Sequence, residues 1–409
     1  MPGYTSAGGP KKSGAGLQTV IVLVVLAAVG VGIYFAFFRG NEPGRQDQGG
    51  RNRGAGTNGK QAVTPPEGNA KVTGAGKTAA PVPAADIPGR DEFKKRDFKG
   101  AAARLAEHVK GKGKADPAAH YMLGRSYNEL GKTDLAEKTL SRAVALDPRG
   151  ANGGAAALIL GDMLWGRYYA RPDEQDRTRW ERIREVYSVA LRTAGFGADR
   201  DQLVARLEKL NAYLLWTRMS TSDSTMYSVM PGDSVERIAV ARGLPRDCAR
   251  SISRINKLRS DHISVGQKLK IIAPLKMEYF VSKQHLKLTV FLNGYFFGEF
   301  PVGIGKGGST PLGEYKLTTK DKNPDWTQTL PDGQKKVWKF GTKENILGTR
   351  WMGMEDKPAV GAIGLGVHGT TQPKTVPGRE SAGCVRMLNK DVELLYDFTP
   401  SGTKVVITK

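Results

Sequence analysis

The chain has 409 residues and a net charge of +22, a length that suits roughly two to four domains and a charge that suits an acidic partner such as nucleic acid, an anionic membrane surface or an anionic wall polymer. No motif for reading DNA or RNA occurs, and much of the charge sits in linker-like and helical stretches, so nucleic acid is set aside. The only cysteines are Cys248 and Cys384, which excludes a disulfide-stapled scaffold.

Residues 1–16 are small, polar and Gly-rich and form a short tail ahead of an apolar run. From Leu17 to Phe38 no charge occurs over a run that would rise about 33 Å as a helix, close to the hydrocarbon thickness of a bilayer. It is longer than the apolar part of a signal peptide and no A-x-A site follows, so residues 17–38 are expected to form an uncleaved transmembrane anchor. Lys11 and Lys12 precede it, and Arg39, Arg45, Arg51 and Arg53 follow it, so charge alone leaves the orientation open. Residues 39–90 hold Gly, Pro, Ala, Asn and charge with few large apolar side chains. Such a stretch cannot bury a core and reads as a disordered linker.

Residues 91–217 change to helical periodicity. Leu123, Gly124, Tyr127, Gly131, Ala136, Leu140, Ala143 and Pro148 fall at the spacing of a tetratricopeptide repeat, whose small residues let two antiparallel helices approach while the large ones fill the gap. A second pair is expected from Leu160-Gly161 and from Trp180 to Thr193, across a long insertion. The region is either a surface for a protein partner or a helical spacer that packs only on itself.

A Ser/Thr/Asp connector then leads to residues 225–273. Pro231-Gly232 signals a turn, Asp233 with Glu236 three residues on resembles a capping box, and a closing strand runs around Gly266 to Ile271. Tyr227, Val229, Gly232, Asp233, Asn256, Gly266, Gln267 and Leu269 give this βααβ pattern its likeness to a LysM module. That resemblance implies binding to glycans that contain N-acetylglucosamine, above all peptidoglycan. The stretch from Gly243 to Asn256 is longer than usual, and its Cys248 reads as a small buried hydrophobe.

Residues 277–409 read as a mainly β domain. Leu286, Leu288 and Val290, with Tyr295 and Phe297, flank Asn293-Gly294, a strong hairpin signal. Further strands are expected at Glu314–Thr318, Val337–Phe340, Ile363–His368 and Lys404–Thr408, with one helix after Asn389. Within this domain His368 precedes a glycine-flanked Cys384, pairing a base usable near neutral pH with a nucleophile that needs one, because the thiolate is the attacking species. The amides of Gly383 and Cys384 are candidates for holding an oxyanion. Arg386 lies two positions past Cys384 and shares its face if the segment is extended. It either forks onto a substrate carboxylate or braces the loop. Ser381 and Thr370 are candidate hydroxyl partners of substrate. One histidine and one cysteine are too few for a metal centre, and His108, His120, His262 and His285 are scattered, so neither metal nor cofactor is expected.

The motif H-G-T followed by S-A-G-C-V-R-M resembles the signature of the YkuD-type L,D-transpeptidase family. Gly303-Ile304-Gly305, Thr310 to Tyr315 and Asn345 to Trp351 support the likeness, and Ala382 departs from it where many members carry a polar residue. The resemblance implies that Cys384 attacks the third residue of a peptidoglycan stem peptide, that His368 moves its proton, and that the carbonyl of Gly369 orients the imidazole. A crosslink between third residues follows when a second stem supplies the amine. It also implies that everything after Phe38 lies outside the membrane, which a protease-accessibility assay finding residues 90–409 protected would refute. A hydrolase of the same fold and a non-catalytic wall-binding scaffold are the alternatives. The expected architecture is thus multidomain: anchor, helical hairpins, LysM module and a mainly β L,D-transpeptidase domain.

Overall fold

The computed structural model describes residues 87–168, 177–195, 197–330 and 332–409. The expected span over 17–38 and nearly all of the linker lie outside them, and among the described residues no helix is long and apolar enough to cross a membrane. The folded part begins earlier than composition indicates, because Ile87 is already buried and α1 (Arg90–Lys94) follows directly.

Six longer helices come next: α2 (Phe98–Lys110), α3 (Pro117–Glu129), α4 (Thr133–Leu146), α5 (Ala151–Tyr168), α6 (Arg177–Thr193) and α7 (Ala198–Leu214). Asp116 caps α3 by accepting from the amides of Ala118 and Ala119, with Pro117 in the first turn where its missing N–H costs nothing. The α3–α4 crossing depends on Gly124: a β carbon there would lie 2.7 Å from Cγ of Leu140. Ala136, Leu140 and Ala143 on α4 are fully buried in the same seam.

The next unit runs β1 (Thr225–Ser228), α8 (Val235–Ala241), a 3₁₀ turn at Arg246–Cys248, α9 (Arg250–Ile255) and β2 (Lys268–Ile271), with β1 and β2 antiparallel and Tyr227 opposite Leu269. The helix cap falls one residue later than the sequence suggests. Ser234 caps α8 through the amide of Arg237, because the carboxylate of Asp233 is already taken by the Tyr227 hydroxyl and the Met230 amide, each at 2.7 Å.

The C-terminal part contributes β3 (Met277–Ser282), β4 (Lys287–Leu292), β5 (Tyr295–Pro301), β6 (Gly303–Gly305), β7 (Gly313–Lys322), β8 (Trp326–Thr329), β9 (Lys335–Trp338), β10 (Arg350–Met354), β11 (Gly366–His368), β12 (Gly378–Ser381), β13 (Val385–Arg386), α10 (Asn389–Phe398) and β14 (Lys404–Thr408). Ten of these strands form one sheet, ordered β12-β6-β13-β11-β10-β7-β14-β3-β4-β5, while β8 and β9 make a separate hairpin. Most neighbours are antiparallel, but β11 with β13, β14 with β3 and β12 with β6 are parallel.

The helical region does not pack only on itself. Strand β5 ends the sheet, and an edge exposes unpaired backbone groups. Here Ser188 Oγ on α6 accepts from the amide of Phe296 at 2.9 Å, and Asn211 Nδ2 on α7 donates to its carbonyl at 2.8 Å. Phe291 and Phe296 join the helical core, and Arg200 reaches the buried carboxylate of Glu299 and, at 2.9 Å, the Thr289 hydroxyl. The LysM-like unit is fused as closely: Val229, Ile252, Leu269 and Ile271 belong to the same buried cluster as Tyr279, Val290 and Phe398. Ion pairs from Lys320 to Asp247 at 2.6 Å and from Arg254 to Asp397 at 2.9 Å flank that junction.

Candidate active site

The parallel pairing of β11 with β13 sets the site. It places Val367 beside Val385 and His368 beside Arg386, so Cys384, just before β13, stands next to the histidine strand. The backbone of His368 is held on both sides, its carbonyl accepting from Met387 N at 2.8 Å, while Gly369 N donates to Arg350 O at 3.0 Å.

His368 is buried, and its Nδ1 lies 2.6 Å from the carbonyl of Gly369. A carbonyl only accepts, so Nδ1 carries the proton and Nε2 is left as the basic nitrogen. The indole of Trp351 lies along the ring, centroids 5.5 Å apart and planes tilted by 30°. Burial pushes the imidazole pKa down to about 4, the Gly369 carbonyl pulls it back up in part, and the Arg386 cation lowers it further. The Cys384 thiol is raised by burial, with the Gly366 backbone and Arg386 opposing. The resting pair is therefore thiol and neutral imidazole. The cysteine is half-buried and its Sγ contacts the Gly364 carbonyl at 3.9 Å, so thiol and imidazole share a cleft without a direct hydrogen bond.

That cleft has a volume of about 320 Å³ and is walled by His368, Cys384, Arg386 and Ser381 on the sheet side and by Trp326 and Leu347 from the β8–β9 hairpin and the loop after it. Asn345 ties this wall together, donating from Nδ2 to the carbonyls of Pro324 and Trp338 at 2.9 and 3.1 Å. A larger open depression of about 600 Å³ lies on the helical region around Arg104, Glu107 and His108, and it holds neither thiol nor paired base.

The nucleophile turn is built by hydroxyls. Ser381 Oγ donates to the carbonyl of Cys384 at 2.7 Å and accepts from Gly383 N at 3.2 Å. Thr310, fully buried, donates to Gly383 O at 2.7 Å and accepts from Gly305 N at 2.8 Å. Gly383 has φ of +153° and a β carbon there would meet Leu365 at 2.9 Å, so the turn needs glycine.

The residues singled out from sequence separate accordingly. Cys384, His368, Arg386 and Ser381 come together on the cleft; Gly369 stands behind the histidine, and Gly383 shapes the turn without lining the cleft. Thr370 is buried, its Oγ1 accepts from Gln372 N at 3.0 Å, and it does not line the cleft. Trp351 and Asp321 line the cleft and Thr310 and Asn389 brace it, though the sequence does not mark them as site residues. Asn389 Oδ1 accepts from the amides of Thr370 at 3.0 Å and Thr349 at 3.3 Å, fixing the loop after the histidine. Thr310 and Trp351 lay inside family-like stretches, where that position was the available signal. Among the described residues no group of His, Cys, Asp and Glu could hold a metal ion.

Two parts of the chain match known family models. Residues 277–407 match the family model for the L,D-transpeptidase catalytic domain, YkuD, and residues 227–271 match that for the LysM domain. YqjB of Bacillus subtilis (strain 168), a protein carrying an L,D-transpeptidase name, is 37% identical over 129 residues, which make up 31% of this chain and 69% of YqjB. YkuD of the same organism, named likewise, is 26% identical over 189 residues, covering 45% of this chain and 98% of its own. A solved L,D-transpeptidase from Mycobacterium smegmatis aligns at 16% identity and a TM-score of 0.27 over 36% of this chain, which spans 65% of that protein. On the match to YqjB over more than two thirds of its length, the chain belongs to the YkuD family of L,D-transpeptidase enzymes, with a LysM domain beside the catalytic one.

Proposed function

We propose that this enzyme forms crosslinks between the third residues of peptidoglycan stem peptides through a thioester on Cys384. The observation that carries the reading is the buried His368, its Nδ1 held by the Gly369 carbonyl, opening on the same cleft as Cys384. His368 Nε2 takes the thiol proton as sulfur attacks the carbonyl of the third residue, a diamino acid linked through its L-centre. The bond from that carbonyl to the terminal D-alanine breaks, and the proton passes to the leaving amine. The amine of a second stem then attacks the thioester, gives its proton to His368 and frees the thiol. With Gly383 N directed at Ser381 Oγ, the amide of Cys384 is the donor assigned to the oxyanion. Arg386, a buried cation on the cleft with Nε unpartnered, is assigned to a substrate carboxylate.

The same reading gives the LysM domain a glycan-strand partner and keeps residues 17–38 as a membrane anchor, with the remainder on the outer side. The helical region, with its β-facing side already occupied, would use its opposite side for any protein partner. A carbapenem tests the chemistry: wild-type full-length protein is expected to gain the mass of one carbapenem, and Cys384→Ala protein none. A wild type that gains no mass, or a variant that gains it equally, would overturn the reading.

A further inference from the structure

One row of side chains crosses the floor of the cleft. Asp321 on β7 is in register with Trp351 on β10, Trp351 with His368 on β11, and His368 with Arg386 on β13. All of them line the same cavity. Neighbouring strands are about 4.8 Å apart, so the ends of the row are separated by about 14 Å. One end is a cation and the other an anion. Arg386 is 7% exposed, has a buried Nε with no partner, and makes one long contact to the Thr375 hydroxyl at 3.5 Å. Asp321 is exposed, and no hydrogen bond or ion pair engages its carboxylate among the described residues.

The surroundings leave Asp321 available. Asp325, the other acid on the cleft, has both oxygens occupied, by Lys339 Nζ at 2.7 Å and Phe340 N at 3.0 Å. Lys320 and Lys322 flank Asp321 in sequence, but strand alternation turns them to the opposite face, where both approach the Tyr396 ring.

The geometry points to Asp321 as the residue that holds the distal ammonium of the acyl donor's diamino residue, at the far end of the cleft from Arg386. This rests on the peptidoglycan reading given above. An extended diamino side chain, with a thioester at Cys384 and a charge-assisted hydrogen bond of about 2.8 Å at its other end, spans most of the row, and the Asp321 side chain supplies the remainder. The group bound there is not the attacking amine. An amine at Asp321 is charged and lies far beyond the roughly 3–3.5 Å separation that attack on a thioester requires. Asp321 thus acts as a specificity residue for the donor, and its contribution is the partial one of a solvent-accessible pair.

Three stem tetrapeptide donors test this on the full-length protein: one with the distal amine free, one acetylated and one succinylated. The expected kcat/KM ratio of free to acetylated donor is about fivefold for the wild type, shrinking as salt screens the pair. In Asp321→Asn the ratio is expected to fall to about one, and in Asp321→Lys the order is expected to reverse toward the succinylated donor. A wild-type ratio near one, or the same ratio in wild type and Asp321→Asn, overturns the assignment while leaving transpeptidation intact. A wild type that forms no Cys384-dependent acyl-enzyme with any donor overturns the peptidoglycan reading and this assignment together.

Discussion

His368 takes its character from burial. Removing the ring from water disfavours its charged form, and the Gly369 carbonyl, though it favours a protonated Nδ1, offsets only part of that cost. The base is therefore neutral and ready well below the pH at which an ordinary imidazole charges. The sign follows directly: protonation of Nε2 blocks the base, and with the pKa pushed down to about 4 that loss comes on the acid side. Lowering the pH from 7 to 5.5 is expected to cut the acylation rate less than twofold, whereas an imidazole with the usual pKa near 6.5 would lose about tenfold. Stopped-flow acylation across that range checks it, and an acid limb centred near 6.5 would contradict it. This pairing of thiol and imidazole was legible in the sequence, because the two residue types and the glycines around them are a chemical signature. The protonation state was not, since it depends on Leu347, Gly369 and Arg386 being packed around the ring.

At the scale of elements, the turn that carries Cys384 is positioned from outside itself. Thr310 bonds Gly305, five residues away, and Gly383, 73 residues away, so one buried hydroxyl ties strand β6 to the nucleophile loop. Replacing it with valine keeps the shape and strands a buried N–H and a buried C=O, at a cost of about 2–4 kcal/mol. Thr310→Val is expected to melt earlier and to acylate roughly 10- to 100-fold more slowly, since small displacements of a nucleophile weigh heavily on rate. Thr310→Ser, which retains both bonds, should recover most of the acylation rate. A valine variant with unimpaired acylation would show that the clamp does not position the cysteine. Such partners escape a reading of sequence because they act between distant backbone atoms. Short strands escape for a related reason: β6 and β13 hold three and two residues, too few for alternation to register, whereas β11 lies inside the strand expected at Ile363–His368. The longer hairpin around Asn293-Gly294 and the closing strand at Lys404–Thr408 did announce themselves.

At the scale of the molecule, the described modules are not beads on a thread. The helical region repairs the open edge of the sheet at β5, and the LysM domain shares the catalytic domain's core. Composition and periodicity identify each module separately because each has its own local pattern. Their union rests on single residues such as Arg200, Asn211 and Arg254, whose partners lie 85 to 143 residues away. A basic or polar side chain on a helix reads as a solvated face until the sheet that receives it is seen. For the proposed function the consequence is that the LysM domain and the catalytic domain are built on one core, so glycan binding and stem-peptide chemistry would share one frame. The most direct test of the central claim is product analysis. Full-length protein is incubated with a purified disaccharide-tetrapeptide, and the products are separated by liquid chromatography and mass spectrometry. The account predicts dimers joined between third residues, with one D-alanine released for each crosslink and none formed by Cys384→Ala. Wild-type protein that yields no such dimer, or a Cys384→Ala variant that yields as many, would contradict it.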